Sequence, residues 1–201
     1  MKRIFLRLGV LSSATAACLL LATIFLPARA SERARYGGTL RVEMRERVNS
    51  MHPIGWNRES ADGEATERLM SLVFDRLVQL NDAGQPQPAL AISWQHDANF
   101  THWQMQLRAS VKFHDNTPMT ADAVVSSLEQ QDSERWQASA SGRAVVFAFK
   151  EPRPNLLVEL ATGRSFIFHA GETSAFGTGA FRITDWQAQR RLELKAYEDS
   201  W

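Results

Sequence analysis

The sequence predicts an α/β lobe, a mixed β-sheet with flanking helices, and three observations carry that prediction. From Thr101 to Arg108 the residues alternate, with Thr101, Trp103, Met105 and Leu107 on one side and His102, Gln104, Gln106 and Arg108 on the other, the period of a half-buried strand. Thr120 then stands where it can cap a helix that has Asp122 in its first turn and an apolar stripe of Val124, Val125 and Leu128. Further on, Arg143 to Lys150 alternates again until Pro152 and Pro154 end the strand.

Met1 to Ala30 has a basic start at Lys2, Arg3 and Arg7, an apolar run from Ala16 to Leu26, and Pro27-Ala28-Arg29-Ala30 at its end. This is the pattern of a secretory signal peptide cleaved after Ala30, and its apolar run falls short of the roughly 20 residues of a spanning helix. A lipidated Cys18 after Thr15-Ala16-Ala17 is the alternative, and it would leave Leu19 to Leu26 exposed on the mature chain. The 201 residues carry 23 Lys and Arg against 22 Asp and Glu. The leader holds four of the basic residues and none of the acidic ones, so the mature chain has 19 against 22, a net charge of −3. That balance excludes a basic nucleic-acid footprint. Cys18 is the one cysteine, so the mature chain forms neither a disulfide nor a thiolate metal site, which suits an oxidising periplasm. About 170 residues remain, enough for one domain with its own core.

After Gly37-Gly38, Thr39 to Met44 alternates as a strand, and Val48 to Asn57, with Pro53 and Gly55 and no sustained period, reads as a loop with apolar anchors. Asp62 to Leu80 reads as a helix feeding an extended segment, with Ala65, Leu69, Leu72 and Val73 on the helical face. Asn81 to Gly84 marks a turn, and Pro86 and Pro88 hold the next segment extended. Val111 and Phe113 suggest a second short strand, stopped by the turn Asp115-Asn116-Thr117-Pro118. Gln130 to Gly142 is polar and reads as a surface loop with Trp136 folded back on the surface; Asn155 to Ala161 suits a short helix. Gly177-Thr178-Gly179 precedes a strand pair around Arg182–Trp186 and Arg191–Tyr197. It lacks the Lys-Ser/Thr of a phosphate loop and the third glycine of a dinucleotide fingerprint, so it is a tight turn and no nucleotide cofactor is expected.

Taken in order, Gly37-Gly38-Thr39-Leu40, VFDRLVQLNDAGQPQPALAISW from Val73, the strand ending Leu107-Arg108, VKFHDNTPMTADAVVSSLE from Val111, GTGAFRI from Gly177 and the final YEDSW resemble the family 5 solute-binding proteins of peptide and nickel ABC importers. The resemblance covers nearly everything after the leader. It implies a type II, cluster C periplasmic-binding-protein fold, with residues 31–201 as the N-terminal lobe and the second lobe missing. The chain would then be a truncated or split product, or a partial sequence. It also implies a site at the margins of this lobe: Asn49, Met51, His52, Trp56 and Asn57 in the loop after the first strand, and Gly177, Thr178, Gly179 and Trp186, all facing a partner lobe. The alternative for the loop is that Met51 and Trp56 pack it onto the core and His52 is solvated.

The resemblance implies capture of a small solute, peptides first and nickel chelates or oligosaccharides behind, by a periplasmic monomer that delivers it to ABC permease membrane subunits. A sensory or scaffold lobe that contacts a membrane partner without a solute is the alternative. An enzyme is disfavoured, because His52, His96, His102, His114 and His169 are scattered and no HExxH or Gly-x-Ser-x-Gly occurs. No catalytic residue, metal ligand or cofactor is expected.

Overall fold

In chain order the elements are β1 (Thr39–Leu40), α1 (Gly63–Val73), β2 (Val78–Leu80), β3 (Pro86–Pro88), β4 (Ala91–His96), β5 (His102–Leu107), α2 (Ala121–Trp136), β6 (Ala138–Ser141), β7 (Ala144–Ala148), α3 (Leu156–Thr162), β8 (His169–Ala170), β9 (Ala175–Phe176), β10 (Phe181–Gln187) and β11 (Arg191–Ala196). This computed structural model describes residues 39–40, 48–162, 164–171 and 174–201, which belong to one unit, Tyr36–Trp201. The expected leader and its cleavage site, Cys18, Gly37-Gly38 and the remainder of the first strand lie outside the described residues.

The α/β class holds, and among the described residues every strand pairing is antiparallel. Four strands form the sheet β4-β5-β7-β6, three form β1-β11-β10, and β2-β3 and β8-β9 are two-stranded. Short connections explain the antiparallel pairing for β2–β3, β4–β5, β6–β7, β8–β9 and β10–β11, since a parallel neighbour needs a crossover of a dozen or more residues. Gly142, at φ +59°, and Arg143 alone join β6 to β7, which pair from Ser141 and Ala144. Between β4 and β5 the Asp97 carboxylate accepts the backbone N–H groups of Thr101 at 2.8 Å and His102 at 3.1 Å. Asn81 Oδ1 closes the β2–β3 turn in the same way, accepting from Ala83 and Gln85.

Alternation in β5 buries Trp103, Met105 and Leu107, and these pack with Val145 and Phe147 of β7 beneath Val124 and Leu128 of α2. Thr120 caps α2 as expected, its Oγ1 accepting the Ala123 N–H at 3.1 Å, a contact worth about 1 kcal/mol. A second apolar cluster joins Val48, Met51 and Trp56 of the first loop to Leu69, Met70, Val73 and Phe74 of the α1 region, to Phe166 and Phe168, and to Leu194 of β11.

Two local expectations are corrected. Val111 and Phe113 are buried but form no strand: a single bridge, Lys112 to Pro118, and the Phe113 N–H to Thr117 O bond fold 111–119 into a tight loop. The segment after Gln130 is helical to Trp136 and then strand, in place of the expected surface loop. The helix kinks at Asp132 (φ −169°, ψ 90°), whose Oδ1 accepts the Arg135 N–H at 3.0 Å and so restarts the helix as an internal cap. The restart turns Trp136 inward, where it is 0% exposed and donates Nε1–H to Arg164 O at 3.0 Å. Among the described residues no helix is long and apolar enough to cross a membrane.

Candidate functional site

The expected site residues come from two segments more than a hundred residues apart, and folding brings both onto the second apolar cluster. Met51 and Trp56 are buried anchors of the first loop. The Trp56 ring meets Phe166 edge-on at 5.8 Å, and its Nε1–H donates to Gly63 O at 3.2 Å. Trp186 of β10 packs half-buried against the same cluster. Asn49 is exposed; its Nδ2 donates to Asp62 Oδ2 at 2.9 Å, and its Oδ1 accepts from Gln189 Nε2 at 2.6 Å. With the Gln189 N–H donating to Val48 O at 3.0 Å, these bonds fasten the loop to the β10–β11 turn. Asn57 stands apart, its Oδ1 accepting the Glu59 N–H in a local turn.

His52 is half-buried, its ring edge-on to Phe168 at 5.5 Å. Its Nδ1 accepts the Ile54 N–H at 3.1 Å, which leaves the ring proton on Nε2. Burial holds its pKa below the ordinary histidine value, so the ring is neutral at pH 7.

Gly177, Thr178 and Gly179 form a turn pressed against the C-terminal end of α1. Gly179 donates its N–H to Val73 O at 2.9 Å. A Cβ on Gly177 would lie 1.9 Å from that same oxygen, so only glycine permits the approach. His114 clamps the turn from the other side: its backbone N–H donates to Gly177 O and its Nε2–H to Gly179 O, both at 2.9 Å. Thr178, fully buried, donates Oγ1–H to Asp75 Oδ2 at 2.8 Å, and Trp201 Nε1–H reaches the same oxygen at 2.9 Å. The Arg108 guanidinium lies over the Trp201 ring at 4.3 Å. The Gly-Thr-Gly residues therefore present backbone and buried side chains, whereas Asn49, His52, Asn57 and Trp186 retain surface for a ligand.

Asp75, Arg108, His114 and Trp201 are partners of this turn that sequence reasoning misses, because spacing carries no sign that positions 75, 178 and 201 meet. His114 fixes a tertiary contact with a turn 65 residues away. Its neighbour Asp115 pairs with His169 Nδ1 at 2.7 Å. Among the described residues no three His, Cys, Asp or Glu side chains converge as metal ligands. An open depression of about 600 Å³ lies elsewhere, lined by Asp132, Glu134, Arg135, Arg153 and Glu159, and it shares no residue with the expected site.

Burial pushes the His114 pKa below 6.5, outweighing its bond to Gly179 O and its attraction to Asp75, while Arg182 adds to the depression and Asp115 opposes it. The unfolded chain therefore binds this proton more readily than the folded one. The contribution of neutral His114 is complete above pH 6.5 and is lost as pH falls from there through the lower folded value. Burial raises Asp75 above 3.8 against the pull of its Trp201 and Thr178 hydrogen bonds, so its linkage has the opposite sign, stability falling as pH rises from there. Urea titrations between pH 5 and 8 are expected to show wild-type stability dropping below pH 6.5, with a flatter profile for His114→Gln; parallel profiles would contradict the assignment.

A family model for the middle region of the family 5 bacterial extracellular solute-binding proteins matches residues 85–201. The chain belongs to this family. Within family 5 it is 28% identical over 141 residues to the nickel-binding protein NikA of Staphylococcus aureus, a match covering 63% of this chain and 28% of that protein. A nickel ABC transporter structure from Bacillus halodurans superposes with a TM-score of 0.65 at 25% identity, over 78% of this chain and 34% of the other. The periplasmic binding protein DppA of Helicobacter pylori, in complex with the peptide STSA, gives a TM-score of 0.64 at 21% identity over 77% and 38%. The fold is that of the type II periplasmic-binding proteins, and the chain spans about a third of these family 5 relatives. The family and the relatives are solute-binding proteins rather than enzymes.

Proposed function

We propose that the chain supplies one face of the solute-capturing component of an ABC importer, acting in the periplasm after cleavage of its leader and delivering its solute to the permease membrane subunits. Peptides are the first class of solute, with nickel chelates and oligosaccharides behind. The observation that carries the reading is the junction of the Val48–Asn57 loop with the β10–β11 turn through Asn49, Val48 and Gln189. It ties the loop to the β10–β11 turn, and the candidate contacts on these two margins are Asn49, His52 and Trp186. Their chemistry suits reversible capture: amide and imidazole groups fix a polar backbone, and an indole covers apolar parts. No covalent step is needed and no catalytic role is assigned. The relatives supply the candidate solutes, since one carries a nickel-binding name and another was solved with a peptide.

Thermal-shift measurements on the purified chain with a small peptide library, nickel with and without histidine, and oligosaccharides test this. A peptide at 100 times its Kd is expected to add about 2.7 kcal/mol of apparent stability and raise Tm by several degrees. The Asn49→Ala and His52→Ala variants should reduce that shift. A shift with nickel or sugars alone would reassign the solute class, and none with any solute would remove capture as the role of this chain.

A further inference from the structure

Of the six asparagines in the chain, Asn99 alone has a hydroxyl residue two positions on, in Asn99-Phe100-Thr101, the acceptor pattern for an N-linked sugar. Asp97 adds an acidic group two positions before it, as the longer bacterial form of this acceptor requires.

The fold places this run at a loop tip. β4 ends at His96 and β5 begins at His102, and the Phe100 N–H donates to Asp97 O at 3.2 Å, so Ala98 and Asn99 are the corners of the turn. The base of the turn is held: the Asp97 N–H donates to His102 O at 3.0 Å, and the Phe100 ring stacks on His96 at 4.4 Å. Both corners are exposed. The side chains of Asn49, Asn57, Asn81 and Asn116 are each engaged in hydrogen bonds. Among the described residues the Asn99 side chain has no such partner, so a sugar on its amide displaces no contact of the fold.

Thr101 decides when the sugar can be added. In the closed turn Thr101 is half-buried and donates Oγ1–H to Asp97 Oδ2 at 2.7 Å, so the hydroxyl on which the acceptor pattern depends is occupied. The Asp97 carboxylate is held by the same bond and by the N–H groups of Thr101 and His102. Both side chains come free only while the turn is open, as it is in a chain that has crossed the membrane and has not yet folded.

We propose that Asn99 is an N-glycosylation site, modified on the periplasmic side of the membrane before the β4–β5 turn closes. The assignment rests on the export proposed above. The donor is a lipid-diphosphate-linked oligosaccharide. The bond between its first sugar carbon and the diphosphate breaks, and the lipid diphosphate leaves with the electron pair. Asn99 Nδ2 forms the new bond to that carbon, and the amide proton passes to a base of the transferase. The turn packs through Phe100 on the first apolar cluster, while Met51, Trp56 and Trp186 belong to the second, so sugar and solute are carried by different clusters.

The test is to express the full chain, with a second acceptor of the same five-residue form appended after Trp201, in bacteria that hold a periplasmic oligosaccharyltransferase and its lipid-linked donor. A separate exported reporter confirms that the transferase is active. Mass spectrometry of the intact chain and of its peptides is expected to show one oligosaccharide on the tail and one on Asn99. Asn99→Gln should lose only the second, with wild-type circular dichroism and Tm. A modified tail beside a bare Asn99, or a variant that keeps both sugars, would overturn the assignment. A chain bare at both positions while the reporter is modified would show that it does not reach the transferase, which removes the export and the assignment with it.

Discussion

Gly177→Ala is expected to destabilise the chain by roughly 3 kcal/mol or more, a large part of the stability of an ordinary domain. The added methyl would stand 1.9 Å from Val73 O, 2.7 Å from Val73 C and 2.8 Å from Phe74 Cδ1. Two of these atoms are backbone at the end of α1 and cannot turn aside as a flexible side chain would. Relief requires the turn to lift away, which would strain the His114 bonds to Gly177 O and Gly179 O and the Thr178 bond to Asp75. Urea unfolding followed by circular dichroism measures the loss, with Gly142→Ala as the comparison. At Gly142 an added methyl would meet no atom within 4 Å, and φ is +59°, so the cost there is about 1 kcal/mol from backbone conformation alone. Equal midpoints for the two variants would show that the close approach at Gly177 does not govern stability.

Trp136→Ala is the second large effect, expected at about 3 to 5 kcal/mol. The indole is fully buried among the side chains of the first core cluster, and its removal both opens a cavity and leaves Arg164 O without its donor. Trp136→Phe retains most of the apolar volume but loses the hydrogen bond, so it should cost less, about 1 to 3 kcal/mol. If the two substitutions destabilise equally, the hydrogen bond rather than the packing carries the effect. If both are neutral, Trp136 lies on the surface, as its sequence context suggests.

The contrast between the two halves of α2 shows how far sequence reading reaches. Thr120, Asp122, Val124 and Leu128 announce the first half, because capping and a 3.6-residue period act between close sequence neighbours. The second half lacks an apolar stripe and reads as loop. The signal that could have found it is Asp132 three residues ahead of the Arg135 N–H, an internal cap with the spacing of an ordinary one. The site divides in the same way. Met51 and Trp56 carry both a ligand-facing and a core-packing reading in the sequence, and the described structure buries them beside α1 and Phe166. Asn49 is a site candidate from the sequence, but its partner Gln189, 140 residues away, lies beyond the reach of any local pattern.

What the sequence determined by itself was the alternation of β5 and β7, the Thr120 cap, the Asn81 turn and the ordered motifs of family 5. Each depends on atoms within a few residues or on motif order along the chain. Only the tertiary structure decided that Asp75, Thr178 and Trp201 meet at one carboxylate oxygen and that His114 clamps the Gly-Thr-Gly turn. Those arrangements depend on strand register and on backbone contacts between distant segments. Packing and excluded volume select them, and neither leaves a periodic trace in the order of the residues.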